Sequence, residues 1–454
     1  MQAKKRQFFG TDGVRDVANS GMMRPEAAMR LGAAYTVFLR KRGAGTPKIA
    51  VGRDTRRSGE MLQSALMAGI ASAGGSTSDL GVIPTPGVSS VAAHNDFDGG
   101  AVISASHNPP EYNGIKFLDK DGFKLTDDDE ADIEEIFLDE KKRAFAAPVN
   151  IGGVSDGSRF REEYAKRLKK IIEEIKDYSC PIVIDAANGA ASAFVEPLFS
   201  DWRGRVTFIA NKPNGVNINE NVGVTHIDTL ASEVVKNKAE LGIAYDGDTD
   251  RVLLCDSRGR VLDGDIMLWV IGRWLAKRDR LGTGVAATVM SNMALEELLA
   301  KEGIKVFRCP VGDRYVLDTM RKEGARIGGE QSGHIIALEY ANTGDGLCAG
   351  VLFLKGVAEL GEEISTLSDR FERYPQLLRN MRVDGKEKIM KSEKVASAAA
   401  EAEKLLGGRG RMLLRPSGTE PLIRIFVESR DEKLMNEAAG IMEDAIRKEI
   451  EGHV

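Results

Sequence analysis

The chain has 454 residues, 42% of them hydrophobic and 29% charged, enough to bury ordinary cores and long enough for several domains rather than one. Its net charge of -5, with no basic arm and no basic stripe studded with aromatics, gives no electrostatic reason to expect nucleic acid, so an anionic ligand would need local clusters of arginine. No stretch approaches the roughly 20 apolar residues that span a bilayer, and Gly10-Thr11-Asp12 ends the basic start far short of a signal-peptide core, which predicts a cytoplasmic protein. In chain order, the apolar runs at 48–54, 181–189 and 284–290 are each bounded by polar turns and followed by helix-like sequence. Buried parallel strands leading into crossover helices read this way. Thr126 followed by Asp127, Asp128, Asp129 and Glu130 reads as acids at a helix N-terminus. Residues 156–178 read as a charged amphipathic helix linking a first module to a second. After a break near 370–375, 376–383 and 412–415 look like strands and 431–449 like a closing helix, a fourth and smaller α+β unit. Cys180, Cys255, Cys309 and Cys348 are far apart and form no metal-like pair, which predicts buried reduced thiols.

Four polar segments punctuate these runs. The first, Ile103-Ser104-Ala105-Ser106-His107-Asn108-Pro109, ends an apolar strand, where an α/β sheet presents ligands. A serine-hydrolase reading of Ser106 fails for want of a Gly-x-Ser-x-Gly elbow, and adjacent residues on an extended turn point apart; a turn satisfying its own backbone is the plainer alternative. The second carries Asp246, Asp248 and Asp250. In a straight strand the outer two would lie about 13 Å apart, while ligands of one Mg2+ lie roughly 2.1 Å from the ion, so the segment must curl, and Gly247 permits it. An EF-hand is excluded, since Arg251 and Ser257 stand where it needs Gly and Glu; a solvated turn with an Asp250–Arg251 surface pair is the competing reading. In the third segment, 328–334, the donors and acceptors of Glu330, Gln331, Ser332 and His334 suit sugar hydroxyls, or a loop that caps the next strand. The fourth, 415–421, has the composition of a phosphate clamp in Arg415, Ser417, Gly418 and Thr419, with Arg424 as a second fork, although an ordinary turn has the same residues and no P-loop pattern is present.

In this order and spacing the four segments resemble those of the α-D-phosphohexomutase superfamily, over essentially the whole chain. The opening Phe9-Gly10-Thr11-Asp12-Gly13-Val14-Arg15, the 103–109 segment, Gln331, and Val311-Gly312-Asp313-Arg314-Tyr315-Val316 resemble its glucosamine branch; Asp16 departs from the glycine usual there. The resemblance implies three related α/β domains with mixed sheets, at 1–155, 156–256 and 257–370, followed by a smaller α+β C-terminal domain at 371–454, four domains around one central cleft. It implies interconversion of glucosamine 6-phosphate and glucosamine 1-phosphate on the route to UDP-N-acetylglucosamine, through a phosphoserine at Ser106 and glucosamine 1,6-bisphosphate as intermediate and activator. One Mg2+ per subunit would be held by Asp246, Asp248, Asp250 and the Ser106 phosphate. Arg15 and Arg251 would flank the phosphoryl group, Lys116 would move the proton of the reacting hydroxyl, and His107 or His334 would support it. Glu330, Gln331, Ser332 and His334 would hold the sugar, and Arg415, Ser417, Gly418, Thr419 and Arg424 the phosphate that is not reacting. The implied partners are sugar phosphates, with no nucleic acid and no membrane, and a homodimer is left open. The same chemistry on glucose or mannose phosphates, or an inactive sugar-phosphate sensor, are the alternatives.

Overall fold

The computed structural model describes residues 6–10, 12–143, 145–175, 177–417 and 420–451. Two compact units result, Met1–Ser291 with Leu299–Arg370, and Asn292–Leu298 with Phe371–Val454. The first holds three mixed sheets. In order across the first sheet come Val14–Val17, Tyr112–Asp119, Gly99–Ile103, Lys48–Arg53, Ser76–Val82 and Val154–Asp156. The last four pair in parallel, whereas Tyr112–Asp119 is antiparallel to both neighbours. Helices Pro25–Lys41, Arg57–Ser72 and Asp127–Leu138 share one core with these strands, Leu31, Tyr35, Leu62, Ile70 and Ile133 closing around Ile49, Val51, Ile103 and Phe117. Successive residues of a strand face opposite sides. A side chain at Gly99 would meet the Tyr35 hydroxyl at 1.9 Å and one at Gly100 would meet Val88 at 3.1 Å, so the glycine pair lets helices approach Gly99–Ile103 from both faces.

The second sheet runs Val261–Leu262, Val252–Asp256, Leu241–Tyr245, Ile182–Asp185, Val206–Ile209, and the third runs Val306–Cys309, Val285–Thr288, Ile327–Gly329, Ile335–Ala337. In both, parallel strands give way to an antiparallel partner at one side. The second unit is a smaller α+β domain: Gln376–Arg382, Leu422–Ser429 and Gly410–Pro416 form an antiparallel sheet packed on helices Glu393–Leu406 and Glu432–Glu451.

This topology determines what the polar segments are. Ile103 pairs with Ile115, Tyr245 with Val252, Gly329 with Ile335, and Pro416 with Ile423, each across an antiparallel ladder. All four segments therefore lead from one strand into an antiparallel neighbour of the same sheet. The reading of 156–178 as one helix is corrected. Val154–Asp156 is an edge strand beside Ser76–Val82, and the helix occupies only Ser158–Glu173. The central strand Leu422–Ser429 is missing from the sequence reading because its apolar run is broken by Arg424. Thr126 and Asp129 form a reciprocal capping box on the Asp127–Leu138 helix, which accounts for the acidic run there. All four cysteines are free and buried, and burial pushes Cys180 and Cys255 up to about 12. No described helix is long and apolar enough to cross a membrane.

Candidate active site

Ser106 is buried and lies at φ 52°, in the left-handed region. The loop is held there from three sides. Its backbone N-H donates to Ser104 Oγ at 2.9 Å, and Ser104 Oγ donates to Asp54 at 2.6 Å. The Ser106 carbonyl accepts Arg56 Nη2 and Asn219 Nδ2, both at 2.9 Å, and the Asn108 carbonyl accepts the same two at 2.7 and 3.0 Å. Arg56 is fully buried with Asp54 as its counter-ion, Nε to Oδ2 2.9 Å. The hydroxyl of Ser106 donates to Asp246 Oδ2 at 2.8 Å, which leaves its oxygen to accept from His107 Nδ1 at 3.2 Å. Ser106 and His107 thus do not point apart as an extended turn would make them. The left-handed backbone at Ser106 folds the imidazole back toward the hydroxyl. Burial, Arg251 and Arg15 together hold His107 below its ordinary value.

The carboxylates of Asp246, Asp248 and Asp250 are buried, with oxygens within 4.8 Å of one another. A turn from Tyr245 back to its ladder partner Val252 brings them together. The left-handed residue of that turn is Thr249, at φ 65°, and not Gly247. Gly247 serves close approach instead, since a Cβ there would stand 2.6 Å from the Ser106 carbonyl oxygen. Thr85 clamps Asp248 by its backbone N-H to the carbonyl, 3.0 Å, and its hydroxyl to Oδ2, 2.7 Å. Burial, together with Asp250 and Asp248, raises Asp246 well above the carboxylate range. Burial also opposes charge on Asp248, but Lys116, at 2.9 Å, outweighs it and holds that carboxyl low. Asp248 Oδ1 and Asp250 Oδ1 are buried with no hydrogen-bond partner among the described residues. Crowded carboxylates with orphaned oxygens, beside a serine oxygen, make a hard-oxygen donor set suited to a divalent cation. The solvated surface pair of Asp250 with Arg251 is excluded by the burial of Asp250.

From Asp248 a line of alternating charge runs outward. Lys116 bridges Asp248 and Asp12 Oδ2 at 2.9 and 2.8 Å, and Lys124 Nζ meets Asp12 Oδ1 at 2.6 Å and then Asp313. Arg15 pairs with Asp12 and donates to Asn108 Oδ1 at 3.1 Å. Burial opposes both lysine charges, but Asp12 and the acids beyond it prevail and raise Lys116 and Lys124. Desolvation opposes charge on the half-buried Asp313 as well, but Lys124 outweighs it and brings that carboxyl down to about 2. The line closes on itself through His334, whose Nε2 accepts the Gly344 N-H at 3.2 Å and whose Nδ1 lies 3.8 Å from Asp250 Oδ2. Arg15, His107, Arg251, Asp313, Glu330 and His334 line one cavity. Burial raises the carboxyl of Glu330 there, with His334 and Arg251 pulling the other way.

Gln331 meets its surroundings through its main chain, its carbonyl accepting the Gly264 N-H at 3.1 Å, and Ser332 is exposed. In the second unit Arg415 and Arg424 face each other across the ladder, and desolvation and Arg424 lower Arg415. Ser417 Oγ accepts the Glu420 N-H at 3.3 Å. Gly418 and Thr419 lie outside the described residues. Asp16, the departure from the family pattern, accepts the Val17 and Met22 N-H groups at 2.8 and 3.2 Å, so its charge is spent on the local turn. Arg56, Thr85, Lys124 and Asn219 escape the sequence reading, although the charged run Arg53-Asp54-Thr55-Arg56 straight after a buried strand is a signal of the same kind as the others.

Models of the phosphoglucomutase/phosphomannomutase α/β/α domains I, II and III match residues 6–144, 162–259 and 263–374, and the C-terminal domain model matches 378–445. The chain is 42% identical to the phosphoglucosamine mutase of Bacillus subtilis (strain 168), covering 98% of this chain and 99% of that one, and 45% identical to that of Carboxydothermus hydrogenoformans, covering 95% and 97%. The chain belongs to the phosphoglucosamine mutase family. Family members are phosphohexomutases, which are isomerases. The fold agrees with solved structures from the wider group. A phosphoglucomutase/phosphomannomutase family protein from Burkholderia thailandensis superposes with a TM-score of 0.82 at 22% identity, covering 97% of each chain. The N-acetylphosphoglucosamine mutase of Aspergillus fumigatus, solved with GlcNAc-6P and magnesium, does so at 0.65 and 16%, covering 97% of this chain and 96% of that one.

Proposed function

We propose that the protein interconverts glucosamine 6-phosphate and glucosamine 1-phosphate, with Ser106 as the phosphoryl carrier. The observation that carries this reading is the Ser106 hydroxyl donating to Asp246 inside a three-carboxylate cluster, on a loop whose carbonyls are pinned by Arg56 and Asn219. A sugar-phosphate sensor needs a grip on its ligand and no such nucleophile. Asp246, Asp248 and Asp250 would hold Mg2+, which would neutralise the carboxylates and the phosphoserine and draw off charge from the transferring oxygens.

The sugar hydroxyl attacks the phosphorus of phospho-Ser106. A new P–O bond forms to the sugar while the bond to Oγ breaks, and the hydroxyl proton leaves as Oγ becomes an alkoxide that must be neutralised. Arg251 and Arg15 would supply positive charge beside the phosphoryl group, Lys116, paired with Asp248, would move the proton, and His107 Nδ1 faces Oγ. The product of this half-reaction is glucosamine 1,6-bisphosphate. It turns end for end, and the reverse transfer returns its other phosphate to Ser106. Glu330 and His334 would contact the sugar, with Gln331 and Ser332 on the same loop. Arg415 and Arg424 are cross-strand partners, with Glu420 3.3 Å from Arg424, and would grip the distal phosphate. Sugar phosphates are accordingly the partners, in the cytoplasm.

The test pairs intact-mass measurement of cell-derived protein, before and after phosphatase, with mutase assays on glucosamine, glucose and mannose phosphates. A phosphatase-sensitive gain of one phosphate and preference for glucosamine 6-phosphate are expected. Ser106→Ala removes the phosphate and lowers turnover by more than about 10³-fold while leaving Tm unchanged, because a buried carrier hydroxyl has no substitute. Near-wild-type turnover in that variant removes Ser106 from the reaction.

A further inference from the structure

The turn after strand Tyr112–Asp119 is gripped by the part of the chain that carries the third sheet, at four points. Asn342 Nδ2 donates to the Asp121 carbonyl at 2.8 Å, and the Arg321 guanidinium lies 3.9 Å from the centroid of the Phe123 ring. Arg314 Nη1 bonds Asp127 Oδ1 at 2.6 Å, and Lys124 Nζ bonds Asp313. The first three are local fastenings. Arg314 and Asp127 are 45% and 54% exposed, whereas Lys124 and Asp313 are only 23% and 21% exposed. Only Lys124 also reaches inward, to Asp12 Oδ1, while Asp12 Oδ2 holds Lys116. One ammonium is thus shared between the first residue of helix Asp313–Glu323 and the carboxylate that seats Lys116.

We propose that Lys124 is a positioning residue for phosphoryl transfer: through Asp12 it sets where Lys116 stands, and through Asp313 it ties that placement to the domain that carries the Glu330–His334 loop. The inference rests on the reading of Lys116 as the proton-transfer group. Asp12 is drawn by Arg15, Lys116 and Lys124 at once, so removing Lys124 leaves the other two cations to pull it toward themselves. Asp313 in turn loses its counter-charge beside His334 Nε2, 3.9 Å away. Its Oδ1 already takes the Arg314 N-H at 2.8 Å, so the carboxylate stays fixed in the helix start and transmits the position of that domain. A proton-transfer group displaced by an ångström loses rate without losing ligand.

The test uses the full-length protein with Mg2+ and glucosamine 6-phosphate, and compares Lys124→Met, Lys124→Arg, Asp313→Asn and Lys116→Met for kcat, KM and Tm. Lys124→Met is expected to lower kcat by about 10²-fold, the scale of a small misplacement, with KM within about threefold. Lys124→Arg, which keeps the charge, should recover at least about tenfold of that loss, and adding Asp313→Asn to Lys124→Met should slow it no further. Asp313→Asn alone should lower kcat by about tenfold, which keeps the proposal testable if Lys124→Met does not fold. A raised KM with kcat retained would make Lys124 a substrate contact and overturn the proposal. So would an arginine variant as slow as the methionine variant, or an unchanged kcat in Asp313→Asn. If Lys116→Met is inert while Lys124→Met is fully active, the positioning role fails and the functional reading stands; a fully active Lys116→Met overturns both.

Discussion

At Ser106 the unusual backbone does chemical work. A φ of 52° turns the side chain toward Asp246 and brings His107 within 3.2 Å, a pairing that adjacent residues on an extended strand end do not achieve. A β-branched residue enters that region only at a cost, as Thr249 does at φ 65°, so threonine at position 106, although equally phosphorylatable, would add strain that serine does not. Asp345 shows a different balance. It caps helix Gly346–Leu360 by accepting the Cys348 N-H at 3.0 Å, takes the Tyr164 hydroxyl at 3.0 Å, and is pushed by burial up to about 6 from 3.8. Its charge destabilises the fold above pH 6, and that penalty fades as pH falls through 6 toward 4. Two pKa units correspond to about 3 kcal/mol. Asp345→Asn keeps the cap and can donate to Tyr164 Oη, so urea denaturation should show the variant more stable than the parent at pH 8, with the gain shrinking at pH 5. An equal difference at both values would show that the buried charge is not its source.

At the scale of elements, the three crossover-strand cores and the four polar segments were legible because both are linear patterns: apolar runs of strand length, then dense short polar residues. What was not legible was the pairing beyond each run. Antiparallel return after Ile103, Tyr245, Gly329 and Pro416 depends on which strand lies alongside, and no local pattern records that. The same limit hid Asn219, Arg56 and Lys124, whose partners lie in other modules or in distant loops. Gly247 is not the hinge of the acidic turn that its residue type suggests but the space in which that turn meets the Ser106 loop. Gly247→Ala tests this. Its Cβ meets the Ser106 carbonyl oxygen at 2.6 Å and Asn219 Nδ2 at 2.9 Å, so the two loops must part. Overpacking of this kind costs about 1–3 kcal/mol, and phosphoryl transfer should fall by about 10²-fold. Retained kcat would mean that the loops separate without consequence.

At the scale of the whole molecule, a chain of net charge -5 has to capture a doubly charged phosphate. Its general field opposes the encounter, and the neighbouring Arg415 and Arg424 are the local exception in the second unit. Arg415→Ala should therefore raise KM for both monophosphates, with kcat less affected, and let more bisphosphate escape into solution; unchanged KM and no free bisphosphate would remove the pair from the grip. The two groups of charges also differ in their access to ions. Arg415 and Arg424 are only partly covered, whereas Lys116, Asp246 and Asp248 are buried. Dissolved salt shortens the reach of exposed charges to about 10 Å at 0.1 M and much less above that, but hardly enters a closed interior. Capture and transfer should then come apart with ionic strength: KM climbs as potassium chloride is added while kcat holds, and a cell that concentrates its ions loses hold of scarce substrate before it loses the capacity to turn it over.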